Sequence, residues 1–325
     1  MHTLGAIRHT RVSISALRLQ WVVGRGAPRN VTKLGYEVVA IFGPTASGKS
    51  AVARHVADAL GTDVVSADAL QVYRGLPILT NQPAEPTHLV GIRGLGETMS
   101  VGEYAGLAHE AVDHLVATRG TAVVTGGTGL YFRAALAELE IPPAADASAR
   151  TRIEHTYDDD PAAAYARLSE LDPAAAEAVH MNDRRRVVRA LELATVGATL
   201  SPAGERLWSE ETRRPTVIVG LELDKDELGR RIAARTDEMI RRGVVEEVHD
   251  ALCGAVSPTA RKALGLDELA TLPIAEARER IVVRTRRYAA YQRKWMRRIP
   301  GIVLVDGQRP LEEVADAVLD VAGAR

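Results

Sequence analysis

The stretch Val38-Val39-Ala40-Ile41-Phe42, running straight into Gly43-Pro44-Thr45-Ala46-Ser47-Gly48-Lys49-Ser50, decides the reading of this chain. A short apolar run rich in β-branched residues predicts a strand buried in a parallel sheet, and the alanine-rich pattern Ala51 to Leu60 predicts a helix after it. Between them stands G-x-x-x-x-G-K-S in the strand-to-helix context that a phosphate-binding loop requires. Gly43 and Gly48 let the backbone curl so that successive N–H groups point inward, and the helix adds the positive end of its dipole to the same anion site. The whole loop, Gly43, Pro44, Thr45, Ala46, Ser47, Gly48, Lys49 and Ser50, is thus expected to wrap a polyphosphate. Lys49 would reach the terminal phosphates, and the Ser50 hydroxyl would sit on a Mg²⁺ ion. The motif implies a polyphosphate without saying which.

The 325 residues can bury a substantial core in one large or two smaller domains. A hydrophobic content of 46% with 26% charged residues is ordinary for a soluble globular protein. Cys253 is the one cysteine, so neither a disulfide framework nor a thiolate metal site is available, which fits a reducing cytoplasm. No apolar run approaches the roughly 18 residues needed to span a bilayer, so no membrane segment is read. With a formal net charge of −1, any nucleic-acid footprint must be a local patch. The chain is expected to act as a monomer.

Around the loop the chain alternates strand and helix: Asp63 to Ser66 and Thr121 to Thr125 read as strands, with a helix from Ser100 to Arg119 between them. This pattern predicts an α/β fold, a P-loop-type parallel sheet with helices on both faces, whose ligands bind beyond the carboxyl ends of the strands. Residues 1–35 are arginine-rich and acid-poor, a pattern shared by transit peptides and by floppy extensions; they are expected to be disordered and receive no function. Residues 36–140 form the first part of the core. Over 141–200 strand signals vanish and helical patterns such as Pro161 to Glu170 take over, which predicts an all-helical insertion. Residues 201–325 complete the core, with strands at Thr216 to Leu223 and Gly301 to Val305, basic helices between, and a closing helix from Leu311 to Val321.

Three loaded stretches converge at the carboxyl edge: the phosphate loop, Ala67-Asp68-Ala69-Leu70-Gln71-Val72-Tyr73, and Gly126-Gly127-Thr128-Gly129-Leu130-Tyr131. Asp68, at the end of the second strand, would coordinate a metal, accept a proton or simply cap a turn. Thr128 lies in a glycine-rich turn that can approach an anion closely. Arg184, Arg185, Arg186 and Arg189 are crowded together with no acid between them, which favours an anionic partner over a solvated charged face. A second cluster, Arg280, Arg284, Arg286, Arg287, Arg293, Lys294, Arg297 and Arg298, is interleaved with Tyr288, Tyr291 and Trp295, as in surfaces that pair phosphates and stack bases. Core packing is the equal alternative for Trp295. Arg231 and Arg235 stand one helical turn apart, and either could be a salt-bridge partner alone.

Six ordered motifs, G-P-T-A-S-G-K-S, S-A-D-A-L-Q-V-Y-R-G, G-G-T-G-L-Y, D-P-x-A-A-x-x-x-H-x-N-D-x-R-R-x-x-R-A-L-E, R-R-x-A-A-R-T-D-x-M-x-x-x-G-x-x-E-E-V and T-R-R-Y-A-x-x-Q-R-K-W, resemble the tRNA dimethylallyltransferases over roughly residues 38–306. These enzymes transfer a dimethylallyl group from its diphosphate to the exocyclic amine of the adenosine 3′ of the anticodon. The resemblance implies that Lys49 and Ser50 hold dimethylallyl diphosphate with Mg²⁺ in place of ATP. It also implies that Thr128 and Arg235 contact the diphosphate and that Asp68 accepts the amine proton. Asp68, Ala69, Leu70, Gln71 and Thr128 would meet the flipped adenosine. Arg150, Arg185, Arg186 and Arg189 would grip the anticodon stem, with Lys262, Gly265, Arg286 and Gln292 on the other side.

The chain departs from the family pattern in places. Ala69 replaces a usual serine, Thr80-Asn81-Gln82-Pro83 stands where G-T-A-K-P is usual, and Leu266 replaces a common aromatic. The T-N-x and R-K-A-x-G forms also resemble the adenylate isopentenyltransferases, which prenylate free adenine nucleotides. The alternatives to a tRNA acceptor are therefore a free nucleotide and, in another class, a P-loop kinase of a small metabolite. The basic insertion and basic C-terminal helix favour tRNA.

Overall fold

In a computed structural model, residues 35–139, 147–200 and 207–324 are described. The extension expected over 1–35 lies outside them apart from Gly35, as do the joints of the insertion at 140–146 and 201–206. The quoted stretch forms β1 (Val38–Phe42), and all five of its residues are buried. It is the middle strand of a five-stranded sheet of order β2-β3-β1-β4-β5, with β2 (Val64–Ala67), β3 (Ala122–Gly126), β4 (Thr216–Glu222) and β5 (Val303–Asp306). Every neighbouring pair is parallel, so the connections cross over the faces as the sequence predicts.

Alternation along β1 divides the core into two layers. Val38, Ala40 and Phe42 face a cluster with Tyr104, Leu115 and Phe132 from α2 (Val101–Arg119) and α3 (Gly129–Leu136). Val39 and Ile41 face the opposite cluster, with Val56 of α1 (Lys49–Leu60) and Val318 of the closing α12 (Leu311–Val321). A strand buried on both faces needs the near-continuous apolar run that β1 has.

The carboxyl edge is levelled by pairing: Phe42 stands beside Gly126 and Gly220, and Ala67 beside Gly126. Glycine at 126 is a steric requirement, because a Cβ there would run into the Ala67 carbonyl.

The helical insertion comprises α4 (Ala147–Asp159), α5 (Pro161–Leu171), α6 (Pro173–Ala178) and α7 (Arg184–Thr195). Asp160, Asp172 and Asp183 cap the last three, and proline opens α5 and α6, where a missing N–H costs nothing. Leu168, Val179, Val187 and Leu191 close a cluster that includes no residue of the sheet. The returning chain is caught by the buried Arg133, which donates to the carbonyls of Leu207 (3.0 Å) and Ser209 (2.9 Å). After β4 come α8 (Lys225–Arg241), α9 (Val244–Leu252), a 3₁₀ turn (Ala260–Lys262), α10 (Leu266–Thr271) and the long α11 (Ile274–Met296).

Gly126→Ala is expected to lower stability by about 1–3 kcal/mol through overpacking against backbone that cannot retreat; a chemical-denaturation midpoint equal to that of the wild type would refute this.

Candidate active site

The phosphate loop turns by placing Ala46 (φ 63°) and Gly48 (φ 85°) in the left-handed region. A Cβ at Gly43 would come within 2.6 Å of the Ser47 hydroxyl, so a larger residue there would displace that hydroxyl. Helix α1 begins at Lys49 without a side-chain cap, which leaves its first N–H groups facing the loop. The Ser47 Oγ and the Arg235 Nε are buried without a hydrogen-bond partner among the described residues. Orphaned donors gathered at one turn are what an anion would satisfy.

A cavity opens directly on this loop. One end is polar, lined by Thr45, Lys49, Ser50, Asp68 and Arg235; the other is lined by Leu79, Met239, Ala263, Leu264 and Ile281. Burial pulls the Lys49 ammonium down to about 8, against the opposing pull of the Asp68 carboxylate and with a further lowering from Arg235. Burial lowers Arg235 as well, with Asp68 again opposing. Arg235 donates to the Thr45 hydroxyl at 2.8 Å, whereas Arg231 pairs with Glu227 at 2.7 Å. Arg235 thus bonds to the loop itself, while Arg231 lines a second cavity with Gly48, Lys49 and Ser50.

Asp68 follows β2 directly, and its Oδ1 accepts from the N–H of Leu70 (2.9 Å) and, more weakly, Gln71 (3.4 Å). It therefore caps its turn and lines the cavity at once. Thr128 stands at the uncapped start of α3, outside the cavity wall, with its hydroxyl 3.4 Å from that of the wall residue Tyr288. Burial pushes the Tyr288 phenol up to about 12, so it remains a hydroxyl donor at neutral pH.

Two residues expected to read the acceptor have their amides committed elsewhere. Gln71 donates to the carbonyls of Thr80 (3.3 Å) and Asn81 (2.9 Å) and accepts from Ser66, bracing the loop that carries Leu79. Buried Gln292 accepts from the Thr45 N–H at 2.7 Å and donates to the Gly127 carbonyl at 2.9 Å, tying the two glycine-rich turns together. Both line the cavity as braces with occupied amides. Leu70 also lines it, while Ala69 packs on the core. Gly265 (φ 102°) sits behind the wall, wedged against Leu79 and Ile281.

The expectation that the insertion arginines lack compensating acids needs correction. Arg184 pairs with Asp158 of α4, and Arg186 and Arg189 pair with Asp183 and Glu192, which flank the run one helical turn away. Arg150 meets Glu154 and Glu192, while exposed Arg185 has no acid within ion-pair distance among the described residues. Lys262 is held below the usual lysine range by burial and by Arg185 and Arg150, which places these three cations together where core meets insertion. Trp295 stacks at 4.7 Å on Trp208, and a Cβ on Gly129 would strike its ring, so it packs α11 onto the core. Glu247, unassigned from sequence although inside a family motif, accepts from the N–H groups of Ile78 (2.7 Å) and Leu79 (2.8 Å) and fixes that loop.

The model of a family described as IPP transferase matches residues 71–299, and that of isopentenyl transferases matches residues 36–95. The chain belongs to the IPP transferase family. Within it, tRNA dimethylallyltransferases of Streptomyces coelicolor and Geobacter sulfurreducens are 39% and 35% identical, covering 83% and 88% of this chain and 90% and 97% of theirs. The crystal structure of the tRNA isopentenylpyrophosphate transferase of Bacillus halodurans aligns with a TM-score of 0.62 at 28% identity, over 88% of this chain and 97% of that one. A eukaryotic dimethylallyltransferase described as acting on tRNA aligns with a TM-score of 0.67 at 25% identity, over 83% and 73%. The departures at Ala69, Asn81 and Leu266 therefore stand inside an IPP transferase.

Because the Lys49 charge is lost as pH rises through about 8, inorganic diphosphate is expected to bind about tenfold more weakly at pH 9 than at pH 7. Lys49→Arg, charged throughout, serves as the reference in calorimetric titrations, and parallel pH profiles for the two proteins would exclude Lys49 as the source.

Proposed function

We propose that this protein transfers the dimethylallyl group of dimethylallyl diphosphate to the exocyclic amine of the adenosine 3′ of the tRNA anticodon, releasing diphosphate. The observation that carries this reading is the graded cavity: cations and free N–H groups at one end, aliphatic side chains at the other, and one carboxylate in the wall. That gradient suits a diphosphate bearing a short hydrocarbon.

In the reaction a bond forms between the amine nitrogen and the first prenyl carbon, the carbon–oxygen bond to diphosphate breaks, and a proton leaves the nitrogen. Negative charge grows on the leaving oxygens, where Lys49, Arg235 and the loop N–H groups are already in place. Asp68 takes the amine proton and, through the same contact, orients the base. Ser50, in the first turn of α1, lines the same cavity, and its hydroxyl would hold Mg²⁺ together with oxygens of the phosphates. Bound there, the ion would add to the charge stabilisation on the leaving group.

The acceptor side is supported by two cationic surfaces. One is Arg185 and Lys262, with Arg150, itself paired to Glu154 and Glu192, beside them. The other is a groove between α8 and α11 lined by Lys225, Arg230, Arg286, Arg293, Lys294 and Arg297, where Asp226 is the acid in the lining and Arg230 pairs with Glu227 behind it. In a chain of net charge −1, such local excess suits a phosphodiester backbone. A free nucleotide has no use for two such surfaces.

Asp68→Asn is expected to reduce turnover by about 10²–10⁴-fold with donor affinity retained; near-normal turnover in a label-transfer assay would remove the proton-acceptor role. Reversing charge at Arg185 and Lys294 should raise the KM for tRNA, leave that for the donor unchanged, and reduce the salt slope by about one for each lost contact. An unaltered salt dependence would place the RNA elsewhere.

A further inference from the structure

Beyond Tyr288 the cavity wall changes character. Leu79, Met239, Ala263 and Ile281 line it and are all buried members of one apolar cluster, with Val248, Leu266 and Leu269 behind them. Two helices tie this end to the phosphate loop. On α8, Arg235 bonds to the phosphate loop and Met239 stands one turn further, about 6 Å along the axis. On α11, Gln292 grips the loop and Ile281 stands eleven residues back, about 16 Å along the axis.

The far wall is also braced from behind. Both carboxylate oxygens of Glu247 hold the backbone of Ile78 and Leu79, so the loop that carries Leu79 cannot move away without breaking two hydrogen bonds to a carboxylate. At Gly265 the backbone lies so close that a Cβ would stand 3.0 Å from the Leu79 Cδ1 and 3.1 Å from the Ile281 Cδ1. Neither side chain can retreat in that direction.

We propose that Leu79, Met239 and Ile281 form a stop that limits the donor to one five-carbon prenyl unit. The inference rests on the prenyl-transfer reading above and deepens it. A ten-carbon allylic diphosphate, anchored by its phosphates at Lys49 and Arg235, would have to drive its second unit into this packed and braced wall. Truncating one of the three opens a cavity that the second unit can fill.

The test is a competition between donors. The full-length protein receives unmodified tRNA with either dimethylallyl or geranyl diphosphate, and coupling is read by label entering the RNA. The wild type is expected to favour the five-carbon donor by about a hundredfold or more in kcat/KM. Met239→Ala and Ile281→Ala are each expected to shift that ratio toward the ten-carbon donor by about tenfold or more. Ile281→Val and Leu79→Val, which remove less, should shift it in the same direction and serve if the alanine variants do not fold. A wild type that couples both donors equally, or folded variants with an unchanged ratio, would overturn the stop. A wild type that binds inorganic diphosphate yet couples neither donor would overturn the prenyl-transfer reading beneath it.

Discussion

The amide of Gln292 joins the Thr45 N–H of the phosphate loop to the Gly127 carbonyl of the turn after β3, and the site depends on that bridge. The partners lie 247 and 165 residues away in sequence. The bond to Gly127 is buried and that to Thr45 is partly so, and losing the side chain would strand a donor and an acceptor together. The same anchorage sets the rotation of α11. One face then presents Tyr288, Thr285 and Ile281 to the cavity, while the opposite face carries the cations of the outer groove.

Charge within the cavity is balanced sparingly. Asp68 raises the proton affinity of Lys49 and Arg235, yet burial outweighs it at both. An enclosed pair of cations facing one carboxylate is short of negative charge, which a bound anion would supply. The low-dielectric surroundings that make this imbalance costly are the ones that would strengthen the hold on such an anion.

Much of this was legible in the sequence because it is written locally. Strands β1 to β5 begin or end within a few residues of the alternation and turn signals, and the caps of the insertion are its Asp-Pro pairs. Strand, loop and helix around Lys49 agreed with one another, which is why that local fold could be read from sequence. What was not legible depends on partners distant in the chain. Gln71 and Gln292 resemble base-reading amides until their hydrogen bonds are counted. The run from Arg184 to Arg189 looks uncompensated until Asp158 arrives from α4 and Glu192 is met one turn further along α7. Trp295 could stack on a base or on a core, and only the proximity of Gly129 and Trp208 decides between them.

The insertion closes its own apolar cluster around Leu168, Val187 and Leu191, without borrowing from the sheet. Substitutions on its surface are therefore energetically insulated from the phosphate loop, and their effects should add to those at the loop with little cross-talk. Such insulation lets the surface of α4 to α7 change while the geometry around Lys49 and Asp68 stays as it is. The fold is in this respect a tool with an exchangeable grip.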